Sequence, residues 1–357
     1  MKIDHPAFDA SGLLLARAEE LLAARRLQAA LRAFGCAEEH GADPRRCAAG
    51  RWMAHALHGD FPAAWEESAA IRSRGLDDGT CFWKGEKLRD KRVIVRCLHG
   101  FGDAVQFFRY APQLNALAAR VVWEVPPALQ ELARCFRGAD NVISWESRHA
   151  FARSWDVQVE AMEVPCIFET RVDDLPIATK YLRLPSKAVA PVSRRMGIKT
   201  SPRVGIVWAA EGWNPSRSIP LHCLRRLLNV GGCELWNLQG GTVRQTWREI
   251  PNCPTLRDAA SCGEGVLSLA AVVAQLDLVI TVDTLAAHLA GALGVPAWLM
   301  LQYAADWRWM TDRSDSPWYP SLRLFRQPSP DDWTSVLRDI EAKLHGWLGS
   351  QPEGLAA

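Results

Sequence analysis

The stretch 277–301, DLVITVDTLAAHLAGALGVPAWLML, decides the fold. Its opening, DLVITV, is a short apolar run rich in β-branched side chains and reads as a buried strand. The alanine- and leucine-rich LAAHLAGALG that follows reads as a helix ending at Gly294. PAWLML (296–301) is a second strand. Strand, turn, helix, strand is one unit of a parallel sheet covered by helices. At the turn, a helix N-terminus with free N–H groups lies at a strand's carboxyl end, where it can hold an anion. Asp283 either caps this helix or belongs to that site, and Thr284 adds a hydroxyl. Ala286, Ala287, Ala290 and Gly291 are small enough for close packing on the sheet. His288 lies four residues past Thr284 on the same face. It either reaches the same ligand or is a satisfied buried histidine.

The same grammar extends in both directions. RVGIVW (203–208) and CELWNL (233–238) are strands, and LHCLRRLL and VLSLAAVVAQL are helices. Trp208 ends the first of these strands. The loop AAEGWNPS (209–216) leads to Arg217, flanked by Ser216 and Ser218, before Pro220 opens a helix. An arginine beyond a strand end can neutralise a diphosphate. Gln239, Gly240 and Gly241 follow the next strand, and paired glycines allow a backbone to approach a ligand closely. Upstream, RVIVRCL (92–98), RVVWEV (120–125) and NVISW (141–145) form another alternating set. PSKAVAPVSRRMGIKTSP (185–202) reads as a linker region with a short helix. Two doubly wound α/β domains of similar size are therefore expected, facing one another. In such sheets ligands bind beyond the carboxyl ends of the strands, in the cleft.

LHGFGDAVQFFRY (98–110) follows the first strand of the first domain. DAVQ (103–106) matches a capping box, with Asp103 as cap and Gln106 three residues on. Asp103 also lies at a strand's carboxyl end, where a carboxylate can take a proton from an attacking hydroxyl. The residues alone weigh these two readings equally. DWRWMTDRSDSPWYPSLRLFRQ (306–327) has no clean period and reads as a long ordered loop that includes a strand, LRLF. A terminal helix over roughly 331–348 follows.

The first 80 residues read as helices. GLLLARAEELLAARRLQAALRAFGCAEEHG has leucines at helical spacing, with Gly35 and Gly41 as breaks. Gly59-Asp60-Phe61-Pro62 marks a turn, with a further helix starting at the proline. This helical hairpin resembles a degenerate tetratricopeptide unit, and only one or two units fit. Net charge is +2, so bulk electrostatics gives no argument for a nucleic-acid or membrane surface. The start, MKIDHPAFDA, lacks the apolar run of a signal peptide, and no run reaches the length of a membrane span. The ten cysteines are scattered without a CxxC pair, as in a reducing cytoplasmic compartment. The 16 tryptophans fit carbohydrate or nucleotide stacking and core filling equally well.

HGFGDAVQFFRYAPQL, RVGIVW with RSIPL, the 276–301 stretch and DSPWYPSLRLFRQ resemble tetratricopeptide-containing bacterial glycosyltransferases. These are relatives of the ADP-heptose:lipopolysaccharide heptosyltransferases, in glycosyltransferase family 9. The resemblance covers roughly residues 50–345. It implies an α/β, GT-B fold of two Rossmann-like domains preceded by a TPR-like helical segment. The segment is placed at 1–85, the acceptor domain at 90–190 and the donor domain at 200–348, whose last helix can cross back to the first domain. It implies inverting, metal-independent transfer from a nucleotide sugar, with no cofactor. The role of base falls on Asp103. Donor-side candidates are Trp208, Arg217, Gln239, Gly240, Asp283, Thr284, Ala286 and His288. Acceptor-side or loop candidates are His99, Gly102, Gln106, Arg109, Asp306 and Trp307. The loop at 209–216 lacks the threonine pair and lysine of the heptosyltransferases. Expected partners are the nucleotide sugar and an acceptor saccharide, protein or small molecule. A protein partner or a homodimer through the N-terminal helices is the further expectation, with no nucleic acid and no integral membrane segment. The alternative is an inactive nucleotide-sugar-binding module that uses the helical arm to hold a partner.

Overall fold

The computed structural model describes residues 10–72, 83, 85–147, 155–176, 180–210, 214–251, 253 and 256–350. The start of the chain, Cys81 and residues 211–213 of the predicted phosphate loop lie outside these. Two compact units are present.

The smaller unit is built on four helices: α1 (Ala10–Ala23), α2 (Leu27–Glu39), α3 (Pro44–His58) and α4 (Phe61–Arg72). Each packs on the next. Leu15, Ala18, Leu21, Ala30, Phe34, Ala37 and Cys47 make a buried core along α1 to α3. Gly35 does not break the first helical run but lies inside α2. The break falls at 24–26, where Arg25 takes a left-handed backbone (φ 59). Gly59 caps α3 in the left-handed conformation, as its place in the predicted turn requires.

Two distant segments complete this unit, 165–174 and 304–313. The Trp65 indole donates to the Thr170 carbonyl at 2.8 Å. Thr311 N donates to the Leu57 carbonyl at 3.0 Å. Trp307 packs edge-on against Trp52 at 5.4 Å and against Phe61 at 5.8 Å. The front of the loop predicted from 306 is therefore part of the helical unit's core, and LRLFR is a strand.

The larger unit contains two parallel sheets. In the first, β1 (Arg92–Arg96), β2 (Arg120–Val125), β3 (Val142–Ser144) and β4 (Val157–Glu160) lie in the order β3-β2-β1-β4. In the second, β5 (Arg203–Val207), β6 (Glu234–Asn237), β7 (Arg257–Asp258), β8 (Leu278–Val282), β9 (Ala297–Leu301) and β10 (Leu322–Arg326) lie in the order β10-β9-β8-β5-β6-β7. With four strands against six among the described residues, the sheets are not of similar size. The chain lays strands outward from one side of β1, then returns to its other side with β4. It does the same around β5, returning with β8. Each return is a topological switch point, where the crevice beyond the carboxyl ends admits a ligand.

The linker carries an 11-residue helix, Ser186–Met196. The terminal helix, Trp333–Gly349, packs on the helix Leu221–Leu228 and on β10. Among the described residues no disulfide joins the cysteines, and no helix is long and apolar enough to cross a membrane.

Candidate active site

At the first switch point, β1 runs out through Cys97, Leu98 and His99 into α5 (Phe101–Phe107). The helix starts earlier than the capping-box reading places it. Gly100, extended at φ −66° and ψ 158°, is the N-cap, so Asp103 is the third helical residue. From there its Oδ2 reaches back to accept from Gly100 N at 2.9 Å. Asp103 is thus the returning carboxylate of the cap, as acidic residues in a first turn often are. Gln106 is not part of the cap. It is fully buried, and neither polar atom of its amide has a hydrogen-bond partner among the described residues.

Arg96, at the end of β1, lies between β2 and β4 by register. Its Nε donates to Glu124 at 2.9 Å and its Nη1 to Gln158 at 3.1 Å. Nε2 of His99 lies 2.6 Å from Oε1 of Glu160, the last residue of β4. Burial pushes the Glu160 carboxyl up from its ordinary pKa. His99 opposes this, Glu163 and Asp103 add to it, and Arg96 opposes it. Burial, then the charges of Glu160, Glu124 and Asp103, push the Cys97 thiol far up, so Cys97 is no nucleophile here.

At the second switch point, β8 ends at Val282 and Thr284 is the N-cap of the helix Leu285–Leu293. The cap is therefore Thr284, one residue past the Asp283 of the sequence reading. The Thr284 hydroxyl lies 3.2 Å from that of Thr281 and donates to the Val282 carbonyl at 3.3 Å. Asp283, buried, faces Arg217: Nη1 of the arginine lies 3.7 Å from Oδ2 and 3.4 Å from the Asp283 carbonyl. Two residues far apart in the chain thus set a guanidinium beside a helix N-terminus.

Gln239 works on the backbone. Its Oε1 accepts from Trp208 N at 3.2 Å and Ala209 N at 2.9 Å, and its Nε2 donates to the Ala209 carbonyl at 3.0 Å. It splints the loop that leaves β5. The Trp208 side chain is buried. A Cβ at Gly240 would meet nothing within 4 Å.

The helix Leu285–Leu293 packs directly on α5. Gly102 makes this possible. A Cβ there would stand 2.5 Å from Cδ2 and 2.9 Å from Nε2 of His288. His288 is itself buried, and its Nδ1 lies 2.9 Å from the Tyr319 hydroxyl. One turn of helix separates His288 from Thr284, roughly 6 Å along the axis. The seam therefore sets the Asp103 turn beside the helix that carries Thr284 and Ala286. Gly102→Ala is expected to force these helices apart, with a loss of about 1–3 kcal/mol. Urea unfolding of the variant beside wild type checks this.

Arg109 is fully buried beneath the seam. Its Nε donates to the Gln106 carbonyl at 2.8 Å and its Nη1 to the Trp318 carbonyl at 2.9 Å. The guanidinium lies 4.9 to 5.2 Å from the rings of Tyr319, Tyr181 and Trp318. With donors on two backbone carbonyls and, at 3.4 Å, on the Tyr181 hydroxyl, and its faces on aromatic rings, Arg109 holds the fold rather than presenting a charge to solvent. Asp306 and Trp307 lie in the helical unit, where Asp306 Oδ1 accepts from Arg308 N at 3.1 Å. The structure thus brings together Asp103, Gly102 and His288 at one seam, and Arg217, Asp283 and Thr284 at one helix end. The sequence reading has no place for Glu160. VQVE, with two polar residues in four, lacks the apolar signature of its neighbours.

No family model matches the sequence. Protein FlbA of Caulobacter vibrioides is 24% identical over 322 residues, 80% of this chain and 52% of that protein. The chain thus spans about half the length of the curated relative it matches. Among solved structures, the glycosyl transferase family 9 protein of Veillonella parvula superposes with a TM-score of 0.56 at 13% identity, covering 75% of this chain and 100% of that one. The ADP-heptose lps heptosyltransferase II of E. coli superposes with a TM-score of 0.48 at 14% identity, over 72% of this chain and 98% of that one. The two parallel sheets, each with its switch point, are those of the GT-B fold found in glycosyltransferase family 9.

Proposed function

We propose that this protein is an inverting, metal-independent glycosyltransferase. It moves a sugar from a nucleoside-diphosphate sugar to an acceptor hydroxyl, with Asp103 as the base. The observation that carries this reading is the seam between Gly102 and His288. It packs the helix that carries the half-buried Asp103 at one switch point against the helix whose N-terminus, with its own arginine, lies at the other.

In this reading the first sheet takes the acceptor and the second the donor. The free N–H groups of the helix after Thr284 bind the diphosphate, and Arg217 adds positive charge where negative charge develops on the leaving group. Asp283 acts through Arg217 by fixing its guanidinium, so it is a positioning residue. Gln239 positions the loop after β5 in the same sense. The acceptor oxygen attacks the anomeric carbon on the face opposite the diphosphate, which inverts the configuration. Asp103 takes the hydroxyl proton. The protein acts in the cytoplasm, and the four N-terminal helices serve as a TPR-like arm that recruits a protein partner or a second copy.

A thermal-shift series with ADP, UDP, GDP and dTDP tests the donor site. At a concentration one hundred times its Kd, the correct nucleotide stabilises the fold by about 2.7 kcal/mol. Arg217→Ala should remove most of that shift. No shift with any nucleotide would overturn the reading.

A further inference from the structure

The inference below rests on the glycosyltransferase reading and extends its acceptor side. β1 and β4 are neighbours where the strand order of the first sheet reverses, and their carboxyl ends open on one crevice. His99 follows β1 by three residues, and Glu160 ends β4. The 2.6 Å contact between Nε2 and Oε1 ties the imidazole to the sheet. The Glu160 side chain is 23% exposed and that of His99 is 53% exposed. One ring nitrogen is therefore fixed by a largely buried carboxyl, while the ring as a whole stands open to solvent. The turn Ala161–Glu163 that follows Glu160 packs on α5, the helix of Asp103.

The charged and titratable groups around the pair are Asp103 from α5, Glu163 from that turn, Arg96 and Cys97 on the β1 side, and Glu124 from β2. Arg96 donates to Glu124 and Gln158, and the Glu160 carboxyl has His99 at ion-pair distance. A pair that served only to join β1 to β4 would gain nothing from an exposed, titratable ring. A carboxylate that fixes one nitrogen of a half-exposed imidazole is the arrangement of an oriented general base, with the second nitrogen available.

We propose that His99 is a second acid–base residue of this site, in contact with the acceptor beside Asp103, and that Glu160 is the positioning residue that fixes its ring. The acceptor oxygen forms its bond to the anomeric carbon as the bond from that carbon to the diphosphate oxygen breaks. The electron pair of the broken bond leaves with the nucleoside diphosphate. The hydroxyl proton passes to Asp103 and then to Nδ1 of His99. Glu160 stabilises the imidazolium, which releases the proton to water and leaves Asp103 ionised for the next turnover. Glu160 must be ionised to do this. Its pKa is raised, so the support is present above that raised value and is lost as pH falls through it.

The test uses the full chain with ADP-glucose, UDP-glucose, GDP-mannose and dTDP-glucose, water and glycerol as acceptors, and nucleoside diphosphate release as the readout. His99→Gln and Glu160→Gln should each lower release about tenfold to a hundredfold, with nucleoside diphosphate binding unchanged. In Glu160→Gln the acid limb of the pH–rate profile should move to lower pH, because the group that imposes it is gone. Imidazole in the buffer should restore part of the rate of His99→Ala, which a purely structural role would not allow. Unchanged release in both variants overturns the proposal, as does a loss of rate with an unmoved acid limb and no imidazole rescue. Bound nucleotide sugar that is never turned over by wild type overturns it too. Absence of nucleotide binding by wild type is a different failure. It removes the glycosyltransferase reading itself, and this inference with it.

Discussion

Asp103→Asn is expected to lower sugar transfer about 10²- to 10⁴-fold while leaving the melting temperature near that of wild type. Asparagine keeps a side-chain oxygen where Oδ2 accepts from Gly100 N at 2.9 Å, so the start of α5 is preserved. It removes the charge and the capacity to take a proton. Asp103→Ala removes both the proton acceptor and the cap, and it should lose stability as well as transfer. The pair of variants thus separates the two roles that one carboxylate holds. Equal activity in wild type and Asp103→Asn would reduce Asp103 to a helix cap. Calorimetric binding of the nucleoside diphosphate should be unchanged in both variants, since the proposed donor site lies on the other sheet. A wild type that binds nucleotide sugar but never turns it over would point to the inactive binding module instead.

Trp307→Ala is expected to destabilise the helical unit by about 3–5 kcal/mol, the range for truncating a buried tryptophan. The indole is 5% exposed and fills the space between Trp52 on α3 and Phe61 on α4. Its neighbours are themselves anchored, Phe61 fully buried and Thr311 bonded to the end of α3. They cannot collapse into the cavity easily, which keeps the cost high. Urea unfolding followed by far-ultraviolet circular dichroism should show helix lost at lower denaturant in the variant. A variant within 1 kcal/mol of wild type would mean that Trp307 is not part of this core. Removing residues 1–80 should likewise take Trp52 and Phe61 from Trp307 and Gly59 from Met310 and produce an aggregating chain. The helical arm is thus no detachable appendage, because 304–313 belongs to its core.

Sheet content was legible because parallel strands carry their own signal. β1, β2, β5 and β8 are largely apolar runs rich in β-branched residues, and β9 is an apolar run without them, all largely buried. β4 and β7 were not legible. β4 buries Gln158 beside Arg96 of its neighbour, a pairing with no trace in a local window. β7 has two residues, too few for any period. The helix breaks divide the same way. Gly41 and Gly59 mark real ends, whereas Gly35 sits within α2 and the break falls at Arg25, a residue without turn propensity. Tertiary packing overrode local preference there.

By itself the sequence determined the alternation of strands and helices, the glycine-rich turn before α5 and the turn before Leu285. These follow from periodicity and caps, which act over a few residues. It also placed Asp103, Asp283 and Thr284 at strand ends and Arg217 in the loop beyond one, because a strand end is a local event. Only the tertiary structure decided which of these groups meet. Arg217 reaches Asp283 across 66 positions of sequence, His99 reaches Glu160 across 61, and Gly102 meets His288 across 186. It also took Arg109 and Trp307 into buried cores. A side chain's partners depend on which strand returns beside which. That order is fixed by the burial of whole sheet faces rather than by any short stretch of residues.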